Sequence, residues 1–163
     1  MTTETTERVE IPPRLDLGRH VAGPVFQALL QFSRAAENHG LERSLVDLVN
    51  IRVSQLNGCA YCVDMHTIDA EAHGETHQPM HALAAWRETP FFTARERAAL
   101  AYAEAATTLD HAAIDAALAA AEAHFTEDEL VQLVWAVALI NTWNRVAIPA
   151  RVPPGQYTPG QFS

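Results

Sequence analysis

The stretch Cys59-Ala60-Tyr61-Cys62-Val63-Asp64-Met65-His66 holds the only two cysteines of the chain, spaced Cys-x-x-Cys, and a histidine four places after the second. A thiolate is the nucleophile that attacks a peroxide or a disulfide. Attack on a peroxide leaves a sulfenic acid. A second cysteine within reach converts that acid to a disulfide before further oxidation destroys it. On a helix, Cys59, Cys62 and His66 fall at i, i+3 and i+7 and share one face. His66 is then placed to orient or deprotonate Cys62. Asn57-Gly58 just before is a turn signal, so the pair is expected to open a helix, where unpaired N–H groups and the macrodipole favour a thiolate. Asp47, twelve residues before Cys59, is a candidate to hydrogen-bond His66, directly or through water, and fix its tautomer. The same residue closes Ser44-Leu45-Val46-Asp47, which also reads as a variant capping box.

Two other readings of the cysteine pair stand beside the redox one: a buried apolar pair and a metal site. Zinc needs about four ligands. His73, His77 and His81 could complete a set, yet Cys59, Cys62 and His66 lie on one helix, whereas zinc fingers place their two pairs on separate elements. The polar flanks of the three later histidines point them to solvent. No motif for a metal, flavin or haem is present, and no cofactor is expected.

Elements must hold these residues, and composition bounds them. With 163 residues, 48% hydrophobic and 19% charged, the chain reads as one globular domain able to bury a core without staples. The net charge is −9, and all 11 basic residues are arginine. This argues against a nucleic-acid surface and an anionic membrane surface, and the lack of lysine excludes Schiff-base chemistry. Val131–Ile140, the longest apolar stretch, is too short to span a bilayer. Met1 to Glu10 is polar and acidic, with no leader-like apolar run, so a cytoplasmic location is expected. There a Cys-x-x-Cys is more often redox-active or metal-binding than structural.

No period-2 strand pattern appears, and alanine-rich runs such as Ala116–Ala123 favour helix. The class is all-α, a single-domain bundle of about six to seven helices. The first is expected from Pro24 to Asn38, ended by His39-Gly40. The second runs from Glu42 to Leu56, with Leu45, Leu48, Val49, Ile51, Val53 and Leu56 inward. The motif helix spans Gly58 to His73, and a short helix spans Pro79 to Arg87. Thr93-Ala94-Arg95-Glu96 is a capping box that opens a helix to Thr108. Another helix covers Ala112 to His124. A second box, Thr126-Glu127-Asp128-Glu129, opens the last, to Ile148. Residues 1–23 form an N-terminal arm, 24–148 the helical domain and 149–163 a Pro-rich tail. Asn141, Trp143, Asn144 and Arg145 read as an ordinary helix end.

The run from Val53 to His66, continued through Ala70, Gly74 and Glu75, closely resembles the alkylhydroperoxidase D-like branch of the carboxymuconolactone decarboxylase superfamily. The likeness resumes at Trp86-Arg87-Glu88-Thr89-Pro90-Phe91-Phe92 and at Asn141-Thr142-Trp143-Asn144-Arg145. It covers roughly Pro24 to Ile148. The resemblance implies an all-α fold, a trimeric or hexameric homo-oligomer, and thiol-dependent peroxidase chemistry. By that likeness Cys62 attacks organic or hydrogen peroxide, Cys59 resolves it, and His66 serves a proton relay. An external dithiol, in the family manner on a lipoyl-bearing protein, resets the pair. The relay glutamate of the family aligns with Asp47, one methylene shorter, and Tyr61 stands where well-studied members have a histidine between the cysteines. Decarboxylation of a muconolactone is not implied, because those relatives do not use this dithiol. The alternative is a redox-responsive oligomeric binding protein with little peroxide turnover.

Overall fold

The computed structural model describes residues 9–37 and 40–161. Among them are seven α-helices, two 3₁₀ turns and no strand. The helices are α1 (Pro24–Glu37), α2 (Arg43–Asn57), α3 (Ala60–Ala72), α4 (His77–Ala82), α5 (Ala94–Thr108), α6 (His111–Ala121) and α7 (Glu127–Ala150). No helix is long and apolar enough to cross a membrane. Asn38 and His39, expected to close α1, lie outside the described residues.

Both threonine boxes form. Thr93 and Thr126 accept from the backbone N–H three residues on, and Glu96 and Glu129 reach back to the cap N–H groups. Ser44 to Asp47 does not form one. The cap of α2 is Glu42, with no side-chain cap bond, and Asp47 points elsewhere. Expected as one helix, Pro79–Arg87 divides between α4 and a 3₁₀ turn at Leu83–Glu88, with Ala85 out of helical geometry at φ −118°.

α2 is the centre of the molecule. Its Leu45, Val49 and Val53 face a core shared with α5, α7 and the two cysteines. Its Leu48 and Ile51 face a second core with Met80, Leu83, Trp86 and Leu100. Two apolar stripes on one helix require cover on both sides, which α7 and the α4–3₁₀ segment supply. Leu56, expected inward, is instead 39% exposed at the helix end. The Trp86-Arg87 motif serves this second core. The Trp86 indole N–H and the Arg52 and Arg87 guanidinium groups all donate to Glu104 of α5. Burial of Glu104 opposes its ionisation, but these donors together hold its carboxyl below the usual range.

The two ends of the chain meet the site. α7 runs past Pro149 to Ala150, so the proline sits in the last turn and leaves the Arg145 carbonyl without its helical N–H donor. The backbone N–H groups of Arg14 and Leu15 donate to Ala150 O at 2.8 and 3.2 Å, and the Arg14 side chain donates to Ile148 O at 3.1 Å. The arm thus satisfies carbonyls that a helix end leaves free. Beyond α7 the tail folds back along α3. Gly155 N–H donates to Asp64 Oδ2 at 2.7 Å, and the Tyr157 hydroxyl donates to Asp69 at 2.8 Å.

Candidate functional site

Asn57 ends α2, and Gly58 follows at φ 70°, ψ 32°, the left-handed conformation that costs glycine nothing. A side chain there would meet no atom within 4 Å, so the requirement is conformational rather than steric. Gly58 and Cys59 N–H groups return to Gln55 O and Ser54 O at 3.2 and 3.0 Å. This turn delivers Cys59 to the start of α3.

Cys59 is not within the helix, as the one-face spacing expects, but is its N-cap at φ −84°, ψ 94°. Its Sγ accepts from Cys62 N–H at 3.4 Å. The two cysteines are bonded as a disulfide, with Cα atoms 5.3 Å apart. Both are 2% exposed and sit in the α2–α5–α7 core. Two clefts open beside the pair. The wider, about 740 Å³, runs along Ser54, Gln55, Cys59, Val63, Thr67 and Ile68 with Pro154 of the tail at its rim. The smaller, about 200 Å³, lies between the start of α3 and the end of α7. Cys59 lines both and Cys62 lines neither.

His66 stands one turn beyond Cys62 on α3. The residue is half-buried, and desolvation by the surrounding protein pulls its pKa down from the usual 6.5 to about 4, partly offset by Asp69. The imidazole is therefore neutral through the physiological range, the form that accepts a proton from a thiol. The shift has a stability consequence. Below pH 6.5 the unfolded chain takes up a proton that the folded chain refuses, so stability is lost as pH falls from 6.5 toward 4, by on the order of 2–3 kcal/mol. Denaturant midpoints across that window should fall for the wild type and change less for His66→Gln. Parallel curves would place His66 in water.

Asp47 does not meet His66. It is 5% exposed, and its Oδ2 pairs with His73 Nδ1 at 2.6 Å. Arg43 stands 3.0 Å from the other ring nitrogen of His73. Burial raises the pKa of Asp47, opposed by His73 and Arg43. His73 is exposed, as expected, yet pairs with the buried Asp47, and His77 is exposed beside Glu71 and stacks on His81. The carboxylate that acts on His66 is Asp69, three residues on and held by Tyr157. Among the described residues, no three His, Cys, Asp or Glu side chains converge as a metal set. Asp47→Asn should lower the unfolding free energy by about 1–3 kcal/mol, the usual cost of weakening a buried charged bond, and leave the reactivity of the Cys59–Cys62 pair within a few-fold. A large loss of that reactivity at unchanged stability would restore the relay role.

One set of positioning residues is not legible as such in the sequence. The Asn57 amide donates to Asn141 Oδ1 and Asn144 Oδ1 at 2.9 and 2.8 Å. Asn144, fully buried, donates onward to Ser54 Oγ at 3.2 Å. Asn141 also donates to Thr107 and accepts from Arg145. The expected helix end is therefore a polar bolt between α7 and the turn that presents Cys59. The available signal was two asparagines one turn apart in an otherwise apolar helix.

The sequence model of the carboxymuconolactone decarboxylase family matches residues 23–105, which contain α1 to α4, most of α5 and the whole cysteine turn. The chain belongs to this family. Within it, the chain is an alkylhydroperoxidase D-like member. The family protein YdfG of Bacillus subtilis, itself uncharacterized, is 36% identical over 129 residues, 78% of this chain and 88% of its own length. A solved Agrobacterium tumefaciens structure, of unknown function and proposed to be an antioxidant defence protein of the AhpD kind, is similar at 33% identity with a TM-score of 0.84, covering 90% of this chain and all of that one. The alkylhydroperoxidase AhpD core of a peroxidase-related protein from Ralstonia eutropha shares the fold at a TM-score of 0.75 and 21% identity, over 88% of this chain and 77% of that one.

Proposed function

We propose that this protein is a thiol-dependent peroxidase that reduces organic or hydrogen peroxide through the Cys59–Cys62 pair. The observation that carries this reading is the bonded pair at the start of α3 with a neutral imidazole one turn beyond it. His66 accepts the Cys62 proton. The Cys62 thiolate attacks the distal peroxide oxygen, the O–O bond breaks, and the alcohol or water leaves with Cys62 as a sulfenic acid. The Cys59 thiolate then attacks that sulfur, releasing water and forming the disulfide. An external thiol reductant, a dithiol or two thiols, returns two electrons and two protons. The wider cleft, with Val63, Ile68 and Pro154 on its walls, suits an uncharged hydroperoxide with an apolar body. The antioxidant description of the Agrobacterium relative supports the same reading. A homo-oligomer, trimer or hexamer, belongs to the proposal, and the exposed Val131, Val134 and Trp135 of α7 offer it apolar surface.

The test counts free thiols on reduced, metal-free protein before and after a small excess of cumene hydroperoxide. Loss of both thiols within seconds, restored by a dithiol, is expected. Two unreactive thiols would overturn the peroxidase reading.

A further inference from the structure

Cys59 faces two clefts of opposite charge. The wider carries Asp64 and Glu71. The smaller carries Arg14 and Arg151, with Tyr61, Ile148 and Val152, and no carboxylate. Each arginine has one nitrogen occupied by backbone carbonyls: Arg14 Nη1 by Ile148 O and Pro149 O, Arg151 Nη1 by Pro12 O at 3.5 Å. Those bonds fix the guanidinium groups at the rim and leave their other N–H groups free of any acidic partner among the described residues. In a chain of net charge −9, two arginines that line a cleft together with Cys59 and without a carboxylate form a local positive field. Arg151 is further fixed by its left-handed backbone at φ 54°, which ends α7 and turns the chain over Cys59.

A disulfide is opened by a thiolate, an anion, attacking one sulfur in line with the bond. The positive cleft favours that anion over the neutral thiol, and its spare guanidinium donors suit a carboxylate carried on the same molecule. We propose that the Arg14–Arg151 cleft admits the reductant, a small thiol bearing a carboxylate, and directs it onto Cys59. The reductant thiolate bonds to Cys59 Sγ, the Cys59–Cys62 bond breaks, and Cys62 leaves as a thiolate that takes a proton from solvent. A second equivalent of the thiol then attacks the reductant sulfur of the mixed disulfide, releasing Cys59 as a thiolate and an external disulfide. Two thiols are oxidised and one protein disulfide is reduced. The inference rests on the peroxidase reading only for why the disulfide must be reopened, and the wider cleft is left to the peroxide.

The experiment needs no peroxide. The oxidised full-length protein is reduced with mercaptoacetate or with 2-mercaptoethanol, and the rates are compared per unit thiolate at low ionic strength. Mercaptoacetate should be faster by about fivefold, as expected of charge steering over a few ångströms. The advantage should shrink in Arg14→Gln and Arg151→Gln and on adding salt. Maleimide trapping followed by mass mapping should place mercaptoacetate on Cys59 and the maleimide on Cys62. Equal or slower reduction by mercaptoacetate, or trapping on Cys62, overturns the proposal. If a variant unfolds, the salt dependence of the wild type decides. Peroxide consumption with excess dithiol, measured alongside, separates the two ideas: its absence removes the peroxidase reading and leaves the thiol comparison standing.

Discussion

Cys62→Ser should reduce peroxide consumption to the rate without protein, and Cys59→Ser should allow one turnover and then stop. The asymmetry follows from the order of events. The serine hydroxyl at position 62 is a far weaker nucleophile than a thiolate and cannot be deprotonated by an imidazole of pKa about 4. With Cys62 present and Cys59 gone, the first oxygen transfer still occurs, but the position whose Cα lies 5.3 Å away no longer carries a thiol to condense with the sulfenic acid. The sulfur then climbs to sulfinic and sulfonic acid under excess peroxide. Mass spectrometry of Cys59→Ser should show successive oxygen additions on Cys62, and a dimedone-type trap should capture the first. If Cys62→Ser turns over while Cys59→Ser does not, the roles are exchanged. The position of Cys59 on both clefts would then be the reason. His66→Gln should fall between these extremes, slowing the reaction by about 100-fold, the lower end of the range of about 10²–10⁴ that a lost general base removes.

The helices were legible because their ends carry chemistry: two threonine boxes, a left-handed Gly58 and a Gly74 at φ 100° after α3. The partner of Asp47 was not, and the reason is geometric. α2 and α3 form a hairpin about Gly58, and Asp47 stands eleven residues before the turn, His66 eight after it and His73 fifteen after it. At about 1.5 Å per residue, His66 falls short of the level of Asp47. Helical side chains lean toward their own N-terminus. Asp47 therefore leans away from the turn, and His73 leans back to meet it. Linear spacing to the cysteines carries none of this. The family match covers the position but cannot say where a shorter side chain turns. The disposition of the tail was equally hidden, since Tyr157 and Gly155 find Asp69 and Asp64 only once α3 exists. A phenol donating to a carboxylate there stays protonated, with burial first and Asp69 second pushing its pKa up to about 12.

Asn144→Leu should destabilise the fold strongly, and it should cost activity without touching a sulfur. Leucine has the branching of asparagine but is bulkier, so overpacking at this fully buried position adds to the loss of bonds. The Asn57 amide loses one acceptor, and Ser54 Oγ, fully buried, loses its donor. Each buried group left short costs about 1–3 kcal/mol, and because the Asn57 amide keeps Asn141 as an acceptor the total is about 2–4 kcal/mol. For a chain of this size that is roughly a 5–15 °C fall in Tm. Because Ser54 O also holds Cys59 N–H, a looser α2 end displaces the cysteine cap, and peroxide consumption should fall by about tenfold or more at temperatures where the variant is folded. Asn144→Asp tests the direction of the bonds. It keeps the acceptor for Asn57 but gives up the donor to Ser54 and buries a charge, so it should be no milder than leucine and should recover stability as pH falls. An Asn144→Leu protein with unchanged Tm would mean that Asn141 alone bolts the turn. The same Tm loss with full peroxide consumption would separate the bolt from the chemistry.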